Sequence, residues 1–323
     1  MSEKFVIGSR GSDLALWQAN YVKSSLEDLF SDHQFEIKII HTTGDQVLDT
    51  ALSKIGDKGL FTKQIEAALL DDSIDMAVHS LKDLQTEQPE GLVIGAVCER
   101  ETPNDIFVSR TGGTIDDLPH GARVATGSLR RRSQLLHYRN DLKIEEIRGN
   151  VPTRLRKFDE SGLDGMILAY AGVYRLGLGD RISQLVPFEI MLPAVGQGAV
   201  AIEIRSDDER TAKVVSKLNH QLTRTSITAE RAFLRRLEGG CQVPIGAHAT
   251  LEADDVTLEG MVGSLDGTVV FRKRISGKAE NAEFLGTKLA DELIVLGARE
   301  LLDNSREQAA ANSQVTMSWQ PFS

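Results

Sequence analysis

The chain reads as two hinged α/β lobes followed by a smaller C-terminal α+β domain. Three observations predict this: buried strand runs alternate with amphipathic helical runs, the alternation restarts near residue 99, and the last third turns to two-residue alternation beside a helix.

FVIGSR supplies the first strand. SDLALWQANYVKSSLEDLF follows as a helix, with Leu14, Trp17, Tyr21, Val22, Leu26 and Leu29 at helical period. Ser12 is its expected cap, and Arg10 beside it would face an anion approaching the free amides of the helix start. FEIKIIH, LFTKQIEAALL and IDMAVHS continue as strand, helix and strand, the alternation of a parallel sheet. Between them, LSKIGDKGLF places Gly56 and Gly59 beside Lys54 and Lys58, either a mobile loop over a site or an ordinary exposed connection.

GARVATG, SLRRRSQLLHY, LKIEEIRG, NVPTRLRKFDE and GMILAYA form the second alternating set, and AVGQGAVAIEI then returns to the first sheet. That return makes a crevice between lobes, where ligands commonly bind. From about residue 217, TSITAERAFLRRLE is a charged helix leading to Cys241, AHATLEADDVTLEGMVGSLDGTVVFRKRI alternates as an antiparallel sheet, and AEFLGTKLADELIVLG packs on it. The expected division is 1–98 with 199–216, then 99–198, then 217–323, with a frayed Ser/Gln/Asn-rich end.

The 323 residues carry a formal charge of -10, with 41% hydrophobic and 5% aromatic residues, so arginines crowded between Arg123 and Arg175 stand out locally. Small anions are better partners for such a chain than nucleic acid, whose binders are basic overall and interleave aromatics with cations. No signal-peptide pattern opens the sequence and no run reaches the ~18 apolar residues of a membrane helix. A soluble cytoplasmic protein is expected. Cys98 and Cys241, the two cysteines, form no Cys-x-x-Cys cluster, and such sparse usage fits a reducing compartment. No histidine belongs to a metal-ligand pattern, so no metal is expected.

In SLRRRSQLLHY, Ser128 can cap a helix whose first turn presents Arg130 and Arg131, while Arg132, roughly 100° further round, points elsewhere. Guanidinium forks beside free amides suit carboxylates, with a solvated helix face as the alternative. Arg148 at a strand end, Thr153 in the following turn, Arg154 on the next helix and Arg175 after GMILAYA repeat the arrangement around one crevice. A ligand with several carboxylates follows, although phosphates would suit the same geometry; no dinucleotide fingerprint or P-loop favours a nucleotide. HSLKDL sets Lys82 and Asp83 beside Ser80 just beyond a strand, either acid/base machinery with a counterion or a surface charge pair. His79 fits a buried hydrogen-bonding role. Cys241, on GGCQVPIG, is either an exposed reactive thiol or a buried structural one.

Taken together, GSRGSDLALWQA, GDKGLF, HSLKDL, GSLRR, RGNVPTR, LPAVGQGA and AERAFLRRLEGGCQVPIG resemble, in order and over most of the chain, the hydroxymethylbilane synthase (porphobilinogen deaminase) family. The resemblance implies two periplasmic-binding-protein-like lobes, the chain crossing between them twice, and a smaller α+β domain. It implies a monomeric transferase of heme biosynthesis that joins four porphobilinogen molecules into the linear tetrapyrrole hydroxymethylbilane with release of ammonia. Its cofactor, dipyrromethane, would be held by a thioether to Cys241. Carried over by motif, Asp83 is catalytic; Lys82, Asp83, Ser128, Arg130, Arg131 and Arg148 hold the cofactor; Arg10, Ser12, Arg148, Arg154 and Arg175 hold substrate. The chain departs from the family at Gly127, where a hydroxyl residue is common, and at Val173, where leucine is. The main nonenzyme alternative is a bilobal solute-binding protein, against which the Cys241 motif weighs; a nucleic-acid module is a poorer one.

Overall fold

Strand β1 (Lys4–Ser9) buries Phe5 and Ile7 and feeds helix α1 (Asp13–Leu29), whose first turn is capped by Ser12: Ala15 N–H donates to its Oγ at 3.4 Å. The computed structural model describes residues 3–43, 59, 62–239 and 243–317, with side chains to residue 307. Strand β2 (Gln34–Ile39), helix α2 (Lys63–Leu70), strand β3 (Met76–Ser80), a 3-10 turn (Leu81–Asp83) and strand β4 (Leu92–Val97) complete the first set.

The chain then crosses to strand β5 (Asp105–Ser109) and runs through β6 (Arg123–Ala125), α3 (Leu129–Tyr138), β7 (Lys143–Glu145), α4 (Val151–Glu160), β8 (Gly165–Ala169), α5 (Tyr170–Arg175) and β9 (Gln184–Leu185). It crosses back as β10 (Val200–Arg205), followed by α6 (Glu209–Val215). The sheets have the orders β2-β1-β3-β10-β4 and β7-β6-β8-β5-β9. These are one topology used twice. In each sheet the fourth strand is a crossing strand, antiparallel to both neighbours. Each lobe thus receives a central strand from a crossing segment, and β10 is apolar on both faces apart from Glu203 and the terminal Arg205, as a doubly covered strand requires.

The third unit starts at helix α7 (Gln221–Arg236), continues through the antiparallel strands β11 (Ile245–Glu252), β12 (Asp255–Gly263) and β13 (Val270–Lys278), and ends with α8 (Ala282–Val295) and α9 (Ala298–Met317). Phe233, Leu237, Leu258, Val262, Leu289 and Leu293 form its core. Each such side chain, fully buried, contributes roughly 1.5–3 kcal/mol of hydrophobic stabilisation.

Two expectations change. The described part of the C-terminal segment is helical to Met317 rather than frayed, because Ala298 and Leu302 anchor α9 in this core and a run of good helix formers, Arg306 to Ala311, extends it. Along α1, the apolar period splits into two faces. Ala19, Val22 and Leu26 are buried, whereas Trp17 and Tyr21 stack on each other at 5.6 Å outside the core, with the Arg175 guanidinium 5.2 Å from the Trp17 ring. Among the described residues no helix is long and apolar enough to cross a membrane.

Candidate active site

The ends of β1 and β3 open onto a cavity of about 60 Å³ lined by Arg10, Ser12, Gln18, Thr62, His79, Ser80 and Asp83. Asp83 closes the 3-10 turn that β3 runs into, which aims it off the sheet edge. Gln18 Nε2 donates to Ser80 Oγ at 2.8 Å and ties α1 to that turn. Lys82, next to Asp83, points instead toward the crossing segments: Nζ donates to Gln197 Oε1 at 3.5 Å.

From the second lobe, Ser128 caps α3, with Arg131 N–H donating to its Oγ at 3.4 Å. Arg130 and Arg131 are buried and converge on Asp105, the first residue of β5. Arg130 Nη1 donates to Asp105 Oδ2 at 2.7 Å and to Leu192 O at 2.6 Å; Arg131 Nη2 donates to Asp105 Oδ1 at 2.8 Å and its Nη1 to Ile167 O at 3.1 Å. Gln197 Nε2 adds a bond to Asp105 Oδ1 at 3.0 Å. Burial alone would raise the Asp105 carboxyl, but the two guanidiniums and the bonds from Arg130 and Gln197 overcome it and hold it well below the usual carboxylate range. One carboxylate shared by two arginines leaves a net positive charge. Arg132 points away, donating from Nε to Leu265 O at 3.2 Å.

The turn RGNVPT explains the next pair. Gly149 adopts φ +118°, Asn150 caps α4 by accepting from Thr153 N–H at 2.9 Å, and Pro152 sits in the first helical turn. Arg154 Nε donates to Gly149 O at 2.7 Å, and Arg148 Nη2 to Glu146 Oε2 at 3.3 Å. A side chain at Gly127 would put its Cβ 3.2 Å from Ile147 O and 4.0 Å from Arg148 Cζ, so glycine leaves room beside that guanidinium. Val173 is buried in the core. Arg175, the last residue of α5, donates from Nη2 to Gly198 O at 2.8 Å on the crossing segment. The Nε groups of Arg148 and Arg175 are buried without an acceptor among the described residues.

Electrostatics link the two sides. Lys82 is pushed down to about 8, first by burial and then by Arg131 and Arg130, with Asp83 and Asp105 opposing. Arg154 is pushed down to about 10, again first by burial, then by Arg131 and Arg148, with Asp83 opposing. Concentrated, partly buried positive charge facing one carboxylate is chemically suited to a ligand carrying several carboxylates. Cys98 is buried, and burial pushes its thiol up to about 12, which removes it as a nucleophile at neutral pH. Cys241, with Lys54, Gly56 and Lys58, lies outside the described residues.

Sequence reading missed Asp105, Gln197 and Glu230. Glu230 is fully buried on α7 and accepts from Arg100 Nη1 at 2.6 Å and Nη2 at 3.2 Å, Gly196 N at 2.9 Å and Ala249 N at 2.9 Å. It joins both crossing segments to the third unit. Gln197 lies within LPAVGQGA, and a polar residue between the glycines of a crossing segment was the available signal.

Residues 5–213 match the family model "Porphobilinogen deaminase, dipyromethane cofactor binding domain", and residues 224–295 match "Porphobilinogen deaminase, C-terminal domain". The porphobilinogen deaminase of Pelotomaculum thermopropionicum is 53% identical over 308 residues, 95% of this chain and 99% of that one. That of Carboxydothermus hydrogenoformans is 50% identical over 309 residues, 96% and 99% of the two chains. Among solved structures, the methionine-binding protein MetQ is similar over 67% of this chain and 89% of its own, at 14% identity and a TM-score of 0.42. With both family models matched and relatives aligned nearly end to end, the chain belongs to the porphobilinogen deaminase family, transferases of tetrapyrrole biosynthesis that use a dipyrromethane cofactor to join porphobilinogen into hydroxymethylbilane with loss of ammonia.

Proposed function

We propose that Asp83 handles the protons of this reaction and that Cys241 anchors dipyrromethane through a thioether. The observation that carries the reading is the link between the Lys82–Asp83 turn of the first lobe and the arginines of the second: Gln197 bridges Lys82 to Asp105, which holds Arg130 and Arg131, and Arg154 feels Asp83 as well as Arg131 and Arg148. The buried Nε donors of Arg148 and Arg175 fit a ligand rich in carboxylates, since donors so placed are costly until an acceptor arrives. Inertness of the Cys98 thiol leaves Cys241 as the sequence's remaining attachment point.

When bound, dipyrromethane supplies the free pyrrole position to which the first substrate is joined. Asp83 stabilises positive charge at a pyrrole nitrogen as ammonia leaves and takes the proton released when the new carbon–carbon bond forms. Lys82, Ser128, Arg130, Arg131 and Arg148 hold cofactor acetates and propionates, and Arg10, Ser12, Arg148, Arg154 and Arg175 hold those of the substrate. Because Asp105 fixes Arg130 and Arg131 before ligand arrives, their orientation costs little on binding. The functional units are 1–98 with 199–216, 99–198 and 217–323, acting as a cytoplasmic monomer without nucleic-acid or membrane partners. Packing of β10 and α6 on the first sheet and of α7 on α8 supports that division.

Denaturing intact-mass analysis beside C241S tests the anchor. The expected result is an excess matching two linked pyrrole units on the native chain and none on C241S. Bare chains in both, persisting after incubation with porphobilinogen, would overturn it.

A further inference from the structure

Strands β3 and β10 are antiparallel with His79 opposite Ala201, so Glu203, two residues along, is the diagonal neighbour of His79 on the same sheet face. His79 Nε2 lies 3.2 Å from Glu203 Oε2, and both side chains are buried. Despite that distance, neither Glu203 oxygen nor His79 Nε2 makes a hydrogen bond of good geometry among the described residues. A carboxylate buried in this way calls for a proton or a donor. Other charged groups face the pair from the elements packed on it. On α2, Glu66 is buried and its carboxyl is raised, first by burial and also by Glu203, with Thr62, His79 and Lys63 opposing. On α7, Arg231 feels Glu203, yet its Nη2 donates elsewhere, to Gln85 O at 2.6 Å and Gln88 Oε1 at 3.2 Å. His79 also lines the cavity that holds Asp83, Arg10 and Ser12, whose volume of about 60 Å³ admits water.

We propose that His79 and Glu203 form a relay pair that takes up, and then returns, the proton handled by Asp83. This rests on the role given to Asp83 above. When a pyrrole α-carbon bonds to the incoming methylene, its C–H bond breaks, the electron pair returns to the ring and the proton passes to Asp83. Across the cavity His79 accepts that proton, Glu203 stabilises the imidazolium, and the proton is then returned through Asp83 to the aminomethyl nitrogen of the next substrate, which departs as ammonia. No other reactant is consumed.

The test uses cofactor-loaded enzyme, with loading checked by intact mass, and compares pH profiles of kcat and kcat/KM for native, E203Q, H79Q, E66Q and D83N proteins. A neutral amide at position 203 no longer favours the imidazolium. E203Q should therefore lose about tenfold in kcat, keep KM within about twofold and move the acid limb to lower pH, whereas H79Q should remove that limb. E66Q, further from the ring, should shift the limb the same way by less and remains informative if E203Q fails to fold. Profiles of E203Q, H79Q and E66Q that superimpose on the native curve, beside an inactive D83N, would overturn the relay alone. A fully active D83N would overturn the role of Asp83 and the relay with it.

Discussion

The two crossing strands occupy the same place in their sheets, and each carries a fully buried carboxylate, but they treat it in opposite ways. Asp105 on β5 is enclosed by Arg130, Arg131 and Gln197; Glu203 on β10 meets His79 without a well-formed hydrogen bond. One topology has been given two electrostatic tasks. In the second lobe the carboxylate is spent as structure, fixing a positive surface. In the first it stays open to a proton, beneath the turn that bears Asp83. A duplicated strand order therefore divides labour between holding charge and moving it.

The contrast breaks most sharply at Asp105. D105N leaves two buried guanidiniums without their counterion and should cost about 3–5 kcal/mol in urea unfolding, whereas E203Q should change stability by under about 1 kcal/mol. Equal losses would erase the distinction. At the sheet edges, D83N should remain folded and reduce kcat at least about a hundredfold with little change in KM, the loss expected of a general acid/base. Steady-state ammonia release close to the native rate would reject that role. The smallest effect concerns Lys82. Its depressed value of about 8 means that the ammonium discharges as pH rises through that point, while a bound carboxylate favours the charged form. Loading of the cofactor-free chain, followed by intact mass, should thus slow severalfold between about pH 7.5 and 9, and K82R, whose guanidinium stays charged, should flatten the fall.

The lobes were legible in the sequence because their strands are short apolar runs between capped helices, and Ser12, Ser128 and the RGNVPT turn announce themselves locally. The partners of the buried charges were not. Asp105 opens a strand and looks like a turn residue until Arg130 arrives from 25 positions away, and Glu203 meets His79 only because the chain returns after a whole lobe. Helical period likewise identified α1 but could not tell which apolar residues would face the second lobe rather than the core, as Trp17 and Tyr21 do. Periodicity reports on neighbours in sequence, and these contacts are set by the crossings.

Glu230 gives those crossings a mechanical character. Arg100 comes from the outgoing segment and Gly196 from the returning one, and both are bolted to a single carboxylate on α7, the helix that runs toward Cys241. An axle in a machine belongs to the frame rather than to the moving arms. Here the frame is the small domain: a single carboxylate on α7 fastens the outgoing segment, the returning segment and strand β11 at one place, so neither crossing can shift without breaking a bond to it.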